Sequence, residues 1–219
     1  IGHDVVVLEK SGKLGGAMDW AGNYSNLPNM EMLQNQPNYH RKMMEKWKVP
    51  VKLNTEATVE TVLAENPDVV VIATGARANL PDVPGLDAAR ASGFALTIDE
   101  VMAREGAAEL GENLVIWGAG EGGELALNRK FAGKGVRVLD AMSQYVPANY
   151  IGSRAIVIGA LMQHFGVAIE TGKTLVGIDG RTAVFKCADG SEERVEADNL
   201  VICQGRTPND ELATALLGK

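Results

Sequence analysis

The stretch that decides the fold is Asn113–Leu127, "NLVIWGAGEGGELAL". It consists of an apolar strand pattern, a glycine-rich turn and the beginning of a helix pattern. Gly118, Gly120 and Gly123 fit the spacing G-x-G-x-x-G. A second apolar strand pattern follows and ends at Asp140, twenty residues beyond Gly120. This order of strand, glycine turn, helix, strand and acid predicts a dinucleotide-binding βαβ unit.

Each glycine of the motif has an expected task. Gly118 permits a tight turn, Gly120 allows the backbone to approach a pyrophosphate, and Gly123 allows close packing of helix on strand. The exposed N–H groups and the dipole at the helix N-terminus favour the negative charge of a phosphate. A turn of the same shape that binds nothing remains the alternative.

The acid at the end of the second strand predicts the nucleotide. Asp140 is expected to accept hydrogen bonds from the adenosine ribose and to repel a 2′-phosphate. Because "DAMSQ" at this point offers no arginine for a 2′-phosphate, NADH is favoured over NADPH. Glu121 and Glu124 lie at the same loop, where they either face solvent or weaken phosphate binding.

Strand and helix patterns alternate along most of the chain, which predicts an α/β fold with a doubly wound, Rossmann-like parallel sheet. Residues 112–204 are predicted to form one such domain, and the preceding segment belongs to a separate α/β unit. Asn66–Ala76, "NPDVVVIATGA", is apolar enough to predict a central strand of a parallel sheet. Thr97 and Glu100 have the spacing of a helix capping box.

Composition narrows the function classes. The net charge of -7 argues against a nucleic-acid-binding surface. No apolar run is long enough to span a bilayer and no signal peptide begins the chain, so we expect a cytoplasmic protein without membrane contact. Cys187 and Cys203 are too far apart for a metal site or a CxxC pair, and the three histidines are isolated. We therefore predict no metal site and name no catalytic residue.

Four segments occur in the order of a known family: Gly2–Met18, Asn66–Gly85, Val115–Ala126 and Leu200–Asp210. Together they resemble the flavoprotein reductases with two dinucleotide-binding domains. The greatest likeness is to the C-terminal half of the old-yellow-enzyme-like branch, which includes 2,4-dienoyl-CoA reductase, 2-enoate reductase and trimethylamine dehydrogenase.

The resemblance implies that residues 1–111, continued by 205–219, form part of an FAD-binding (or ADP-binding) domain. Residues 112–204 would then be an inserted NAD(H)-binding domain. In the family pattern Glu9 matches the acid that binds the FAD ribose, and Arg206 and Pro208 match the turn where the chain crosses back between domains. The implied cofactor-binding residues of the first domain are Glu9, Lys10, Gly15, Gly16, Ala73, Thr74, Gly75 and Gly205.

Other parts of the family pattern are absent from the sequence. The first strand with its own glycine loop should precede Ile1, and a late "GD" motif should follow Lys219. The flavin-binding barrel and the cysteine cluster of the closest relatives are also absent. We expect the chain to be part of a larger enzyme that uses FAD, with FMN and an iron–sulfur cluster possible in the missing N-terminal part. The fragment alone is expected to be inactive.

The expected function is the NADH-to-flavin electron input of an enoate- or dienoyl-CoA-reductase-like enzyme with a small-molecule substrate. Such an enzyme can be a homo-oligomer. The alternative is an ADP-binding structural module without redox turnover. A disulfide reductase or NADH oxidase would need a cysteine in the N-terminal part of the chain, and the sequence has none there.

Overall fold

The computed structural model describes residues 2–20, 31–103, 110–144 and 153–218 and divides them into two compact units. The described residues of the first unit are 2–20, 31–77 and 207–218, and those of the second are 78–103, 110–144 and 153–206. The elements in chain order are β1 Val7–Leu8, α1 Ala17–Trp20, α2 Glu31–Lys46, β2 Val51–Lys52, α3 Val59–Leu63, β3 Ala76–Ala78, α4 Leu86–Ala91, β4 Ala95–Thr97, α5 Ile98–Ala103, β5 Asn113–Trp117, α6 Ala119–Phe131, β6 Gly135–Leu139, α7 Ser153–His164, β7 Ile169–Glu170, β8 Lys173–Asp179, β9 Thr182–Cys187, β10 Glu192–Glu196, β11 Asn199–Ile202, β12 Arg206–Pro208 and α8 Glu211–Leu216.

A five-stranded parallel sheet forms the centre of the second unit, with strand order β4-β11-β5-β6-β7. Ile116, Val138 and Leu200, on three adjacent strands, are fully buried. Continuous apolar strands of this kind are expected in a parallel sheet that is covered on both faces. The predicted α/β class with a Rossmann-like βαβ unit is confirmed.

A three-stranded antiparallel sheet, β8-β9-β10, belongs to the same unit. Its side chains Leu175, Phe185 and Val195 share one buried cluster with Val115 and Trp117 of β5. The antiparallel sheet therefore contributes to the core of the second unit.

The capping box at the start of α5 is also confirmed. The backbone N–H of Thr97 donates to Glu100 Oε2 at 2.8 Å, and the N–H of Glu100 donates to Thr97 Oγ1 at 3.2 Å. Arg90 adds a bidentate pair to the same carboxylate at 2.8 and 3.2 Å. Burial raises the pKa of Glu100, but the bonds from Arg90 and Thr97 outweigh it, so the net pKa lies below the ordinary value.

The prediction of a central strand at Asn66–Ala76 is wrong. Only β3 is a strand in this region, and the side chains of Val69 and Val71 are 79% and 84% exposed. In the first unit β1 pairs in parallel with β2. Strand β3 pairs only with β12, so the described strands provide no ladder for residues 66–75. Apolar composition favours burial, but a strand forms only where a neighbour accepts its backbone hydrogen bonds.

The domain boundary differs from the one predicted at residues 111 and 112. The second unit begins at Ala78 and continues to Arg206. The reason is that β4 is an edge strand of the same parallel sheet, where Leu96 is the partner of Val201. The described residues 78–103, 110 and 111 therefore belong with the glycine-loop domain.

The turn before α4 gives a test of this packing. Gly85 has φ 84°, and a Cβ built on it would lie 1.9 Å from the carbonyl oxygen of Ile178. Gly93 has a similar φ of 75° but nothing within 4 Å of its Cβ position. We expect Gly93→Ala to cost about 1–2 kcal/mol through backbone strain alone. Gly85→Ala is expected to cost at least ~2 kcal/mol more because β8 must shift.

Urea unfolding of both variants measures this difference in the free energy of unfolding. Equal losses for Gly85→Ala and Gly93→Ala would show that the contact between the α4 turn and β8 does not constrain the fold.

Candidate nucleotide site at the carboxyl edge of the parallel sheet

The carboxyl ends of all strands of a parallel sheet meet at one edge, and loops at this edge form ligand sites in α/β proteins. Here β5 continues into the loop at Gly118, and β6 ends next to Asp140. The chain after β4 carries Asp99, and the chain after β11 carries Arg206. Because the sheet order is β4-β11-β5-β6, these four connections are neighbours.

The turn between β5 and α6 has the conformation expected of a glycine loop. Gly118 has φ 109° and ψ 107°, and its N–H donates to the carbonyl oxygen of Leu139 at 2.8 Å. A Cβ at Gly118 would lie 2.0 Å from the carbonyl oxygen of Cys203. The tight turn predicted for Gly118 is therefore confirmed. Helix α6 begins at the next residue and has a non-helical ψ of -115° at Gly120.

The close packing of helix on strand that the sequence predicts at Gly123 is found at Gly122. A Cβ at Gly122 would lie 2.5 Å from Ile116 Cγ2 of β5. A Cβ at Gly123 would meet Met162 of α7 at 3.0 Å. The prediction was wrong because the helix register turns Gly122, and not Gly123, towards the strand.

Asp140 is joined directly to the glycine loop. Its Oδ2 accepts the N–H of Ala119 at 2.7 Å, and its Oδ1 accepts the N–H of Met142 at 2.8 Å. The residue is only 5% exposed, so these bonds hold the carboxylate in one position. A carboxylate has about four lone-pair sites, and these bonds occupy one on each oxygen. Asp140 therefore retains capacity to accept hydroxyl groups at the edge of the loop.

Glu121, whose orientation the sequence left open, is paired with Arg206. Arg206 Nε and Nη2 lie 2.9 and 3.2 Å from the two carboxylate oxygens of Glu121. The same guanidinium bonds both oxygens of Asp99, with Nη1 at 2.9 Å and Nη2 at 2.5 Å. The bonds to Asp99, followed by those to Glu121, raise the pKa of Arg206 above its ordinary value. Sequence reasoning missed this ion-pair cluster, because only the strand order brings the three residues together.

The two cysteines do not form a reactive pair at this edge. Cys203 directly follows β11 and is buried, and burial, with the Glu121 carboxylate as the next cause, raises the pKa of its thiol well above the usual range. A thiol held in this form is a poor nucleophile. Cys187 ends β9, where its sulfur lies 3.1 Å from Lys173 Nζ. Over the described ranges, no cluster of His, Cys, Asp and Glu could hold a metal ion.

In the first unit, Glu9 directly follows β1 and is half-buried. Its Oε1 accepts the N–H of Ser11 at 2.8 Å, while Lys10 is exposed. Gly15 has φ 135°, and a Cβ there would lie 2.6 Å from the Arg41 guanidinium, whereas Gly16 has open space around it. The structure describes where these four residues lie, and their binding of FAD stays a prediction.

The other residues implied by the family pattern lie where the chain passes between the units. Thr74 Oγ1 donates to the carbonyl oxygen of Asn209 at 2.5 Å, and Asn209 Nδ2 donates to the carbonyl oxygen of Thr74 at 2.9 Å. Ala73, Thr74 and Gly75 are exposed. Gly205 belongs to the second unit, where its carbonyl oxygen accepts the N–H of Asn79 at 3.0 Å.

The described part of the chain contains no helix with both the length and the apolar character of a membrane span.

The chain belongs to the pyridine nucleotide-disulphide oxidoreductase family, whose model matches residues 23–218. It is 26% identical to an NADH oxidase of Thermoanaerobacter brockii, over 100% of this chain and 33% of that protein. It is 28% identical to a multifunctional alkene reductase/demethylase OYE of Caballeronia cordobensis, over 98% of this chain and 32% of that protein. The solved structure of a 2-naphthoyl-CoA reductase complex matches with a TM-score of 0.79 and 28% identity, over 98% of this chain and 31% of that chain.

These comparisons confirm the superfamily that the four sequence segments predict. The chain spans about a third of the length of the relatives it matches.

The packing of α6 on β5 can be tested with two adjacent glycines. Alanine at an exposed helix position gains about 1 kcal/mol over glycine. At Gly122 we expect this gain to be reversed, with a net loss of about 1–2 kcal/mol, because the methyl group meets Ile116 in a filled core. At Gly123 we expect a change within ~1 kcal/mol, because the flexible Met162 side chain can move.

Thermal and urea unfolding of Gly122→Ala and Gly123→Ala provide the comparison. A larger loss for Gly123→Ala than for Gly122→Ala would contradict the assignment of the close helix–strand contact to Gly122.

Proposed function

We propose that the carboxyl edge of the parallel sheet binds NADH and that the chain is the electron-input portion of a larger flavin-dependent reductase. The observation that carries the proposal is the 2.7 Å bond between the Ala119 N–H and Asp140 Oδ2, which joins the acid to the first turn of α6. In a nucleotide-binding βαβ unit, this acid binds the ribose while the adjacent helix N-terminus binds the pyrophosphate.

The residues present fit this nucleotide. The N–H groups of the first turn of α6 that follow Ala119 would hold the pyrophosphate, with Gly120 leaving room for close approach. Asp140 would accept the ribose hydroxyls, and its buried carboxylate would repel a 2′-phosphate. Bound NADH supplies a hydride for a flavin, while the protein supplies binding and orientation.

For the parent protein we propose FAD in the first unit, held with the help of Glu9, Lys10, Gly15, Gly16, Ala73, Thr74 and Gly75. Gly205, which the family pattern also implies, belongs to the second unit. We further propose the old-yellow-enzyme-like branch, in which an activated C=C bond of a small molecule is reduced. Two relatives at 28% identity, an alkene reductase/demethylase and a 2-naphthoyl-CoA reductase, support this branch. FMN and an iron–sulfur cluster would then belong to the rest of that protein.

A second candidate acceptor is dioxygen, because one relative at 26% identity is named NADH oxidase. Both candidates use the same NADH site and differ only in the final acceptor. Turnover of the full-length protein with an enoate under anaerobic conditions supports the reductase, and turnover that requires dioxygen supports the oxidase.

Calorimetric titration of the 219-residue chain with NADH, NADPH and ADP tests the nucleotide assignment. We expect NADH to bind at least about ten-fold more tightly than NADPH, a difference of ~1.4 kcal/mol. Asp140→Ser combined with Ala141→Arg should reverse this preference, because the acid is removed and a guanidinium can bind the 2′-phosphate. Serine keeps an oxygen that can accept one of the two backbone N–H groups bonded by Asp140.

Asp179→Ser is the matched control, because Asp179 is an exposed acid of the same unit on β8. It should leave the ratio of the two affinities unchanged. Binding of ADP without binding of NADH, together with a full-length protein that contains no flavin, would replace the proposal by an ADP-holding structural module.

A further inference from the structure

The glycine loop contains an acidic side chain that is held by a basic one from a distant part of the chain. Glu121 lies between Gly120 and Gly122 in the first turn of α6, and Arg206 lies 85 residues further along the sequence. Arg206 places Nε and Nη2 on the two carboxylate oxygens of Glu121, at 2.9 and 3.2 Å. Asp99 accepts from Nη1 and Nη2 of the same guanidinium, so the two carboxylates share Nη2.

This cluster contains one positive and two negative side chains, so its formal charge is -1. The side chains of Asp99, Arg206 and Glu121 are 25%, 28% and 48% exposed, which leaves them near the solvent boundary. Charges in this setting act on neighbours through an intermediate dielectric, and salt screens them over about 10 Å at 0.1 M. We therefore expect one unit of charge at the loop to change the affinity for an anion by a few-fold.

An unpaired carboxylate at Glu121 would oppose the dipole of α6 at the point where a pyrophosphate approaches. Resting on the proposed function, we propose that Arg206 is a positioning residue that offsets part of the charge of Glu121. Its two hydrogen bonds hold the Glu121 carboxylate, so that this carboxylate does not occupy the phosphate-binding N–H groups. The affinity for a phosphate-containing nucleotide is then set by the net charge of the Asp99–Arg206–Glu121 cluster.

The proposal predicts an ordered series of affinities. Arg206→Gln makes the cluster more negative by one charge and should weaken NADH binding by about three- to ten-fold at low salt. Adding Glu121→Gln to Arg206→Gln restores the original formal charge and should recover most of the lost affinity. Asp99→Asn alone removes a negative charge and should strengthen NADH binding by a few-fold.

The measurement is calorimetric titration of the whole 219-residue chain with NADH, ADP and adenosine at about 0.02 and 0.5 M salt. The differences in affinity between the variants and the unaltered chain should be large for NADH and ADP. They should be small for adenosine, which carries no phosphate, and they should be reduced at high salt. Arg194→Gln is the control, because Arg194 pairs with Asp179 on the antiparallel sheet and not at the glycine loop. It removes the same charge and should leave all three affinities unchanged.

Unchanged NADH binding in Arg206→Gln overturns the inference. A loss that Glu121→Gln does not recover, or one that affects adenosine equally, also overturns it, because the role of Arg206 would then be to maintain the fold. If the unaltered chain binds neither NADH nor ADP, the proposed nucleotide site itself fails. This result differs from the one in which NADH binds with the same affinity to every variant, which would contradict only the role of Arg206.

Discussion

Helix α6 lies so close to β5 and β11 that Gly118 and Gly122 have no room for a side chain. The carbonyl oxygen of Cys203 blocks the first position, and the Ile116 side chain blocks the second. This approach brings the N–H of Ala119 within 2.7 Å of Asp140. The helix N-terminus and the acid of the next strand therefore meet at one point, and the rest of the candidate site is arranged around it.

The same edge of the sheet concentrates charge, and the strand order determines which charges meet. β11 lies between β4 and β5, so the residue that follows it can reach the loops after both neighbours. Arg206 uses this position to bond Asp99 and Glu121, which lie 107 and 85 residues away in sequence. Strand β11 comes late in the sequence but lies between β4 and β5 in the sheet. This position brings the cation of Arg206 to the acidic Glu121 of the glycine loop.

Local features of this fold follow from the sequence because neighbouring residues determine them. The glycine spacing predicts the turn at Gly118, and Thr97 and Glu100 predict their own capping box. Features that depend on residues distant in the sequence cannot be predicted in this way. Glycine spacing does not define the helix register that turns Gly122 towards β5, nor does it indicate Arg206 as the partner of Glu121. The valines after Asn66 are apolar enough for a strand, yet no described strand lies beside them to accept their hydrogen bonds.

Asp140 serves the fold whether or not a nucleotide is bound, because its carboxylate accepts two backbone N–H groups. An acid at this position is therefore compatible with both a binding loop and a purely structural turn. The bond to Ala119 supports a binding loop by placing the acid at the first turn of α6, and the cluster at Glu121 adds a second feature. A structural turn gains little from a half-exposed ion pair, since such pairs contribute about 0–1 kcal/mol to stability. A loop that binds a pyrophosphate gains affinity from the ion pair, because a compensated carboxylate repels the phosphate less at the N-terminus of α6. The pairing of Arg206 with Glu121 is therefore an arrangement that the proposed binding loop would use and that a structural turn would not need.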